Sequence, residues 1–353
     1  MPLWFKGIIE EHLATRNAAG LWDVSHMGRV EVSGREASPF LNYILTNDIR
    51  LLEDGRCVYT LLLNERGGIL DDLLVYKISK EKFILVVNAA TREKDISWMQ
   101  EHGKNFSVNI DDVTSGTALI ALQGPLSERI LQHLVKTDLS ILRRFQHAKM
   151  KICGVDAILS RTGYTGEDGF EINIQKCSVD EPENAESLWN HIIERGKMHG
   201  ILPCGLGTRD TIRLEAGLCL YGQDMDESIN PFEARLAWVI NLDKENFLGK
   251  YALLDSMKNI NQVRVGFEAI GEGIPRHGYV ISFKDEEIGR VTSGTYSPLL
   301  AKGIGMGYVK PSLSSAGSML RFTGRGTRRE ALIRAMPFYD KKLYGHLRKS
   351  TIK

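Results

Sequence analysis

The stretch NERGGILDDLLVYKISKEKFILVVN (residues 64–88) decides the fold of the segment that surrounds it. Its first five residues predict a turn, because asparagine and glycine are the residue types that tolerate positive φ. Two apolar runs follow, LLVY at 73–76 and FILVV at 83–87, and the charged residues between them predict a second turn. The stretch therefore predicts a β-hairpin that is entered through a glycine-rich turn.

Two adjacent carboxylates, Asp71 and Asp72, stand between that first turn and the first strand. Successive side chains of a strand point to opposite faces, so the two cannot both point the same way. One can then face solvent while the other lies at the edge of a buried cavity, where a carboxylate needs a cation or a hydrogen-bond donor. A turn with a solvated acidic pair is the alternative that this stretch alone leaves open.

The composition is that of an ordinary globular protein with room for two or three domains, since 353 residues are 43% hydrophobic and 25% charged. The formal net charge is +1, from 45 basic and 44 acidic residues, so no bulk field favours nucleic acid or a membrane surface. Basic residues cluster only near the C-terminus, at 321–329 and 341–349, which indicates a solvated surface rather than a phosphate site.

Five scattered cysteines, with no C-x-x-C pair among them, predict a reduced intracellular protein without a structural zinc site. The nine histidines form no H-x-x-x-H pair, and we expect no metal centre. The N-terminal segment carries early glutamates and no apolar core, so neither a signal peptide nor a transit peptide is expected. No apolar run approaches transmembrane length. These features predict a cytoplasmic enzyme or binding protein.

The remaining segments mix short helices and strands without a strict βαβ period, which favours an α+β fold over a doubly wound sheet. An amphipathic helix is predicted at 8–16, with Ile8, Ile9 and Leu13 as its apolar, buried stripe. Thr208 is a plausible N-cap for the helix that follows it. From about Leu242 onward, short strands alternate with Gly or Pro turns, which is typical of an all-β sandwich or barrel.

Several rare stretches, taken together and in order along nearly the whole chain, resemble the aminomethyltransferase (T-protein) family of the glycine cleavage system. They are DVSHMG from Asp23, GGILDDLLVY from Gly67, VVNAATREKD from Val86, RTGYTGEDGFE from Arg161, GLGTRDTIRLEAGLCLYGQDMDE from Gly205 and TSGTYSP from Thr292. The resemblance implies an enzyme that uses tetrahydrofolate, takes the aminomethyl group from lipoylated H-protein, releases ammonia and makes methylenetetrahydrofolate. It also implies the glycine cleavage complex as partner.

The resemblance implies roles for individual residues. Asp72 matches the critical aspartate, which can orient a folate nitrogen and stabilise cationic character on the aminomethyl carbon. Glu171 matches the glutamate that holds the pterin by charge-assisted hydrogen bonds. Arg209 matches a ligand-contacting arginine, although pairing with Asp210 is the simpler alternative. The other matching positions around the folate are Met27, Tyr59, Ile84, Val86, Asn88, Tyr164 and Trp238.

The family fold implies three domains around a central funnel. The expected division is a split first domain at 1–30 and 130–240, a second α+β domain at 31–129 that carries Asp72, and a β-rich, barrel-like third domain at 245–353. Folate is expected in the funnel, with the lipoyl arm entering from the opposite side.

Three other functions, of the same or a related fold, are alternatives to an aminomethyltransferase. A folate-dependent demethylase shares the features described above. A sarcosine-type oxidase would require a dinucleotide-binding G-x-G-x-x-G domain, which this sequence lacks. A non-enzymatic folate-binding protein of iron–sulfur maintenance would carry K-G-C-Y-x-G-Q-E, whereas the comparable region, 247–251, reads FLGKY without cysteine.

Overall fold

The computed structural model describes residues 1–348, which form two open β-sheets and one closed barrel with short helices around them. The strands are β1 (Gly20–Asp23), β2 (Gly28–Ser33), β3 (Cys57–Leu63), β4 (Ile69–Ser79), β5 (Lys82–Val87), β6 (Asn109–Asp112), β7 (Thr117–Gln123), β8 (His147–Ile152), β9 (Val155–Ser160), β10 (Gly169–Gln175), β11 (Leu202–Pro203), β12 (Val263–Ala269), β13 (Val280–Phe283), β14 (Glu286–Ser297), β15 (Lys302–Val309), β16 (Met319–Gly324) and β17 (Thr327–Arg334). The α-helices are α1 (Ile8–Asn17), α2 (Ala37–Ile44), α3 (Arg92–Gly103), α4 (Ser127–Gln132), α5 (Glu183–Gly196), α6 (Leu206–Glu215) and α7 (Lys250–Ser256).

The five-stranded sheet has the order β3-β4-β5-β2-β6 and contains the predicted hairpin. Strands β4 and β5 pair antiparallel, which confirms the hairpin, and β4 begins at Ile69, so both aspartates belong to it. The turn before β4 contains Gly67 at φ +81°, and Asn64 Oδ1 accepts a 2.9 Å hydrogen bond from the backbone N–H of Gly68. One face of this sheet packs an apolar core against α2 and α3.

The six-stranded sheet has the order β11-β1-β7-β10-β9-β8 and joins three distant parts of the chain. Strand β1 runs parallel to β11 and antiparallel to β7. Strand β10 lies between β7 and β9, with Glu171 opposite Ala121 on one side and Ser160 on the other. Helices α4 and α5 pack on the apolar side of this sheet. Glu171 therefore sits on a central strand rather than on a mobile loop.

Strands β12 to β17 close into a barrel, because β12 pairs with both β15 and β17. Its interior is filled by apolar side chains, among them Val265, Phe267 and Phe322. The expectation of a β-rich C-terminal part is confirmed, and the whole is an α+β fold with a C-terminal barrel. No helix within residues 1–348 combines the length and apolar character that crossing a membrane would require.

Strand pairing does not follow the expected segment boundaries everywhere. Strand β7 lies in the six-stranded sheet, although the expected second domain, 31–129, includes it. Strand β2 begins at Gly28, inside the segment that was expected to belong to the first domain. The change from one sheet to the other falls near the short 3-10 helix Thr114–Gly116. The division into three domains stays a prediction, and strand pairing favours ending the second segment at that 3-10 helix.

Helix α1 is present as predicted, but the predicted buried stripe is wrong. Ile9 is 51% exposed, whereas Glu11, His12, Thr15 and Arg16 are buried. A polar helix face can be buried only where each group finds a partner. The partners come from elements far away in sequence, so the period of apolar residues could not reveal them.

Two acidic side chains from other elements satisfy the basic residues of α1. The guanidinium of Arg16 lies 3.0 Å from Glu167 Oε1 and 3.1 Å from Glu215 Oε2. His12 Nε2 is 2.8 Å from the same Glu215 oxygen. This buried network ties α1 to α6 and to the loop before β10, and it fixes one wall of the cavity described below.

Thr208 is not the N-cap of α6. The helix begins at Leu206, directly after Gly205, and the Thr208 hydroxyl donates a 2.7 Å hydrogen bond to Glu11 Oε2. The same carboxyl oxygen accepts the backbone N–H of Gly205 at 2.9 Å. The first N–H groups of α6 are therefore satisfied by the Glu11 carboxylate and by the backbone carbonyls of Pro2 and Leu3, not by the hydroxyl of Thr208.

Candidate active site

A cavity of about 600 Å³ is lined by β3, β4 and β5 of one sheet, β10 of the other sheet, and α6. Ligand pockets of small molecules commonly have volumes of this order. Nine of the ten residues implied by the sequence resemblance line it. They are Met27, Tyr59, Asp72, Val86, Asn88, Tyr164, Glu171, Arg209 and Trp238. The structure thus brings these residues together, while their roles toward a ligand stay predictions.

Ile84 is the tenth residue, and it does not reach the cavity lining. Its side chain is 4% exposed and packs in the apolar cluster between the two sheets, together with Trp22 and Tyr76. On β5, Ile84 and Val86 share one face because side chains alternate along a strand. Val86 borders the cavity, and Ile84 lies one step further along the strand, behind its wall.

Asp72 is held by two donors. Its Oδ2 accepts a 2.8 Å hydrogen bond from the hydroxyl of Tyr59, and its Oδ1 accepts a 2.9 Å bond from Asn88 Nδ2. Burial, reinforced by the nearby charge of Asp71, raises the pKa of Asp72 to about 7. A carboxyl group with this pKa can hold or release a proton near neutral pH, as acid–base chemistry requires.

Asp71 does not face solvent, and the solvated acidic pair is therefore wrong. Its side chain is fully buried, and both of its oxygens accept hydrogen bonds from Asn88. The backbone N–H of Asn88 lies 3.1 Å from Oδ2, and its Nδ2 lies 2.8 Å from Oδ1. Asn88 consequently bridges the two aspartates, because the same Nδ2 also donates to Asp72.

Glu171 is 6% exposed and its side chain lies at the cavity wall. Its Oε2 accepts hydrogen bonds from the hydroxyls of Thr162 and Tyr76, the latter at 3.5 Å. Burial raises the pKa of Glu171, and these hydroxyls oppose that effect. No donor within residues 1–348 bonds to Oε1, so this oxygen is available to accept an N–H group of a ligand.

Arg209 lies in the cavity without a carboxylate partner among the described residues. Its guanidinium lies over the Tyr164 ring, 4.7 Å from the centroid, and its Nη2 is 3.5 Å from Met27 Sδ. The alternative pairing with Asp210 is wrong, because Asp210 bonds to Arg213 at 2.7 Å instead. Burial lowers the pKa of Arg209. An unneutralised cation of this kind suits an electron-rich or anionic ligand group.

Two aromatic rings form a flat surface at the opening of the cavity. Tyr59 and Trp238 stack with centroids 5.6 Å apart and planes 22° apart. Trp238 is 68% exposed, so much of its ring is free to contact a ligand or a partner. The pair offers a stacking platform for a planar ring system.

Sequence reasoning missed the residues that support this site from behind. Tyr76 and Thr162 hold Glu171, and Asp95 lies beside Asp71. All three lie in stretches that carried the family resemblance. Tyr76 ends GGILDDLLVY, Thr162 is the second residue of RTGYTGEDGFE, and Asp95 ends VVNAATREKD. Their presence in those stretches was the available signal, but their contacts depend on sheet packing.

Comparisons with known proteins agree with one another over nearly the full length. A family model described as the GCVT N-terminal domain matches residues 1–244, and one described as the glycine cleavage T-protein C-terminal barrel domain matches residues 262–340. An aminomethyltransferase of Caldanaerobacter subterraneus subsp. tengcongensis is 47% identical over 343 residues, covering 97% of this chain and 90% of the relative. An aminomethyltransferase of Chloroherpeton thalassium is 44% identical over 342 residues, covering 97% and 93%.

A solved structure is similar as well. The crystal structure of glycine cleavage system aminomethyltransferase T from Bartonella henselae superposes with a TM-score of 0.88 at 34% identity. The match covers 96% of this chain and 91% of that one.

Proposed function

We propose that this chain, which belongs to the aminomethyltransferase (T-protein) family of the glycine cleavage system, performs its reaction in the cavity that Asp72 and Glu171 share. It is a tetrahydrofolate-dependent aminomethyltransferase, which moves the methylene group of aminomethyl-lipoyl H-protein to tetrahydrofolate and releases ammonia. A demethylase or an iron–sulfur maintenance protein is not favoured by these relatives. The observation that carries the assignment of the site is that both acids line one cavity.

The residues of the cavity fit a reduced folate. A pterin presents ring N–H and amino groups, for which Glu171 Oε1 is an acceptor that no described residue occupies. The stacked pair of Tyr59 and Trp238 supports a flat aromatic portion, and Arg209 supplies a cation without its own carboxylate. The volume of about 600 Å³ accommodates a ligand of this class.

Asp72 is proposed as the catalytic residue. Tetrahydrofolate supplies the nucleophilic nitrogens N5 and N10, and the carbon exchanges its bonds to sulfur and amine nitrogen for bonds to these two. Two protons must move from the folate nitrogens to the departing amine and thiol. A carboxyl group with a pKa of about 7 can carry them, and its ionised form stabilises positive charge developing on the carbon.

Tyr59 and Asn88 are proposed to orient Asp72, because each occupies one of its oxygens with a hydrogen bond. Fixed orientation of a reacting group contributes to rate by removing the freedom that it would otherwise lose during the reaction. Met27, Val86 and Tyr164 are proposed as the apolar and aromatic walls around the folate.

Two further parts of the proposal concern the setting of the enzyme. Lipoylated H-protein and the glycine cleavage complex are proposed as partners, on the basis of family membership. A cytoplasmic location is proposed because all five cysteines are free thiols, four of them buried, as in proteins of reducing compartments.

Ammonia release from aminomethyl-lipoyl H-protein, measured with and without tetrahydrofolate, tests the proposed function. The expected result is release that tetrahydrofolate accelerates, with methylenetetrahydrofolate formed in equal amount. Absence of ammonia with fully loaded H-protein, or a rate that tetrahydrofolate leaves unchanged, would contradict it.

A further inference from the structure

Asp95 of α3 is a buried acid without an ordinary partner. Its side chain is 1% exposed, and neither of its carboxyl oxygens accepts a hydrogen bond from an N–H or O–H donor within residues 1–348. Its neighbour is another carboxyl group, that of Asp71 on β4, which is in hydrogen-bond contact with it. Carboxylates can only accept hydrogen bonds, so two of them in contact must share a proton.

The hydrogen bonds of Asp71 decide which acid carries that proton. Both of its oxygens already accept from Asn88, one from the backbone N–H at 3.1 Å and one from Nδ2 at 2.8 Å. Both oxygens of Asp71 are therefore already occupied by donors, whereas no described residue occupies the oxygens of Asp95. Among the described residues, only the nearby Thr91 hydroxyl and the charge of Lys94 favour its ionised form. The proton therefore resides on Asp95, which donates to Asp71. Consistently, burial and the charge of Asp71 raise the pKa of Asp95 to about 9.

Asn88 connects this pair to the proposed catalytic residue. Its amide nitrogen carries two hydrogens, and it lies 2.8 Å from Asp71 Oδ1 and 2.9 Å from Asp72 Oδ1. One hydrogen therefore points to each aspartate. Both Asp71 oxygens accept from Asn88, and this arrangement is best satisfied when Asp95, rather than Asp71, supplies the proton of the pair.

The other polar groups around Asp95 do not replace this arrangement. Lys94, the adjacent residue on α3, directs its Nζ to Leu70 O, Tyr221 Oη and Glu227 Oε1, each at 3.0 Å. Its charge weakly favours ionisation of Asp95. The Thr91 hydroxyl, one turn before Asp95, donates to Asn88 O at 3.2 Å, and its proximity opposes the rise in the pKa of Asp95 without cancelling it. Asp72 accepts from the same Asn88 amide that donates to Asp71.

We infer that Asp95 is a positioning residue of the aminomethyl transfer, because it stays protonated, donates to Asp71 and thereby holds the Asn88 amide in the orientation that donates to Asp72. Asp95 acts through two other residues and does not touch the substrate. The inference rests on the proposed function of Asp72. Beyond that function, it assigns a buried proton to the Asp95 carboxyl group.

Replacement of Asp95 by a neutral donor and by an apolar side chain separates this role from packing. Asp95→Asn retains an N–H that can donate to Asp71, whereas Asp95→Leu keeps the same branching of heavy atoms and has no donor. Glu93→Gln, at an exposed position of the same helix, is the matched control. We expect Asp95→Asn to keep kcat for ammonia release at pH 7 within about threefold, and Asp95→Leu to lose about tenfold or more, as supporting residues behind a site commonly do.

The pH dependence supplies a readout that packing alone would not move. Ionisation of Asp95 places a second charge beside Asp71, so kcat of the parent protein is expected to fall above about pH 9. The amide of Asp95→Asn has no carboxyl proton to lose above about pH 9. The kcat of Asp95→Asn is therefore not expected to fall in that range for this reason. Equal loss of kcat in the Asn and Leu variants, or an identical alkaline limb in parent and Asn variant, would overturn the inference.

An infrared measurement tests the proton itself without any assay of activity. The difference spectrum between the parent and Asp95→Asn at pH 7 is expected to show the C=O stretch of a protonated carboxylic acid, and to lose it above about pH 9. Absence of that band at pH 7 would overturn the inference even for a fully active enzyme. If the band is present but the protein fails to release ammonia, only the proposed function is contradicted.

Discussion

The hydroxyl of Tyr59 donates a 2.8 Å hydrogen bond to Oδ2 of Asp72, so the same ring that stacks on Trp238 also orients the proposed catalytic acid. One side chain thereby couples the platform for the ligand to the group that acts on it. This hydrogen bond stabilises the ionised carboxylate and opposes the burial that raises the pKa of Asp72.

Tyr59→Phe removes this donor and keeps the stacking ring. The pKa of Asp72 is expected to rise further, because the hydrogen bond that favours its ionised form is lost. Because the proposed role needs ionised Asp72, the acid limb of the kcat profile is expected to move to higher pH by about one unit, which corresponds to about 1.4 kcal/mol. Rates of ammonia release between pH 6 and 9 measure the shift.

Tyr251→Phe, at a tyrosine that is 73% exposed, is the control for loss of a hydroxyl. The affinity for tetrahydrofolate of Tyr59→Phe is expected to stay close to that of the parent. If the acid limb of the kcat profile of Tyr59→Phe moves to lower pH, or if this profile is identical to that of Tyr251→Phe, the role of the hydrogen bond is refuted.

Glu171 variants are expected to weaken binding rather than turnover. A hydrogen bond to a charged group contributes about 1.5–3 kcal/mol, and 1.4 kcal/mol corresponds to a tenfold change in Kd. We therefore expect Glu171→Ala to raise the Kd for tetrahydrofolate by about tenfold to hundredfold, and Glu171→Gln, which keeps an acceptor oxygen, to raise it less. Titration calorimetry measures both, with the exposed-site variant Glu181→Gln as control. Unchanged affinity of Glu171→Ala would remove this residue from the site.

The buried network of α1 predicts a contrast between neighbouring glutamates. Glu11 accepts hydrogen bonds from the backbone N–H of Gly205 and from the Thr208 hydroxyl, whereas Glu10 is exposed. Glu11→Ala leaves these buried donors unpaired, and we expect it to lower the free energy of unfolding by about 3 kcal/mol. Glu10→Ala is expected to change it by less than about 0.5 kcal/mol. Urea titrations that give equal values for the two variants would contradict the network's contribution.

The protonated state of Asp95 predicts a pH dependence of stability. Its pKa is about 9 in the folded protein and about 3.9 in an unfolded chain, so the folded state retains a proton that the unfolded state releases between these values. Stability therefore falls as pH rises through this window, by up to about 1.4 kcal/mol per pH unit. Asp95→Asn removes that contribution.

Unfolding free energies from urea titrations at pH 7 and pH 8.5 measure the two slopes. Asp72, with a pKa of about 7, also makes the free energy of unfolding decrease as pH rises, mainly below pH 7. This contribution is the same in both proteins. A shallower slope in Asp95→Asn is expected. Equal slopes in the two proteins would show that Asp95 is ionised in the fold.

Local pattern in the sequence was enough for the hairpin at β4 and β5 and for the β-rich C-terminal part, because both depend on short-range alternation and turn chemistry. The residues of the cavity came from the family resemblance, and nine of the ten reached its lining. Ile84 did not, because the alternation that places it beside Val86 says nothing about where the cavity ends.

Burial of polar groups was the part that sequence could not supply. The acids that meet Arg16 of α1 are Glu167 and Glu215, both far away along the chain. Asp71 and Asp95 likewise meet only because α3 packs on the sheet that contains β4. A polar side chain is predicted to be exposed when its distant partner is unknown. Helix periodicity therefore assigned the buried face of α1 to its aliphatic residues.

The central claim is that the Asp72 carboxylate acts on a folate held in the same cavity by Glu171. Asp72→Asn tests it most directly, because the amide preserves size and keeps one acceptor oxygen while removing the charge and the ionisable proton. The account predicts that kcat for ammonia release from aminomethyl-lipoyl H-protein falls at least about a hundredfold. The Kd for tetrahydrofolate, measured on the same protein, is expected to stay within about threefold of the parent value. Ammonia release at the parent rate by Asp72→Asn would contradict the account.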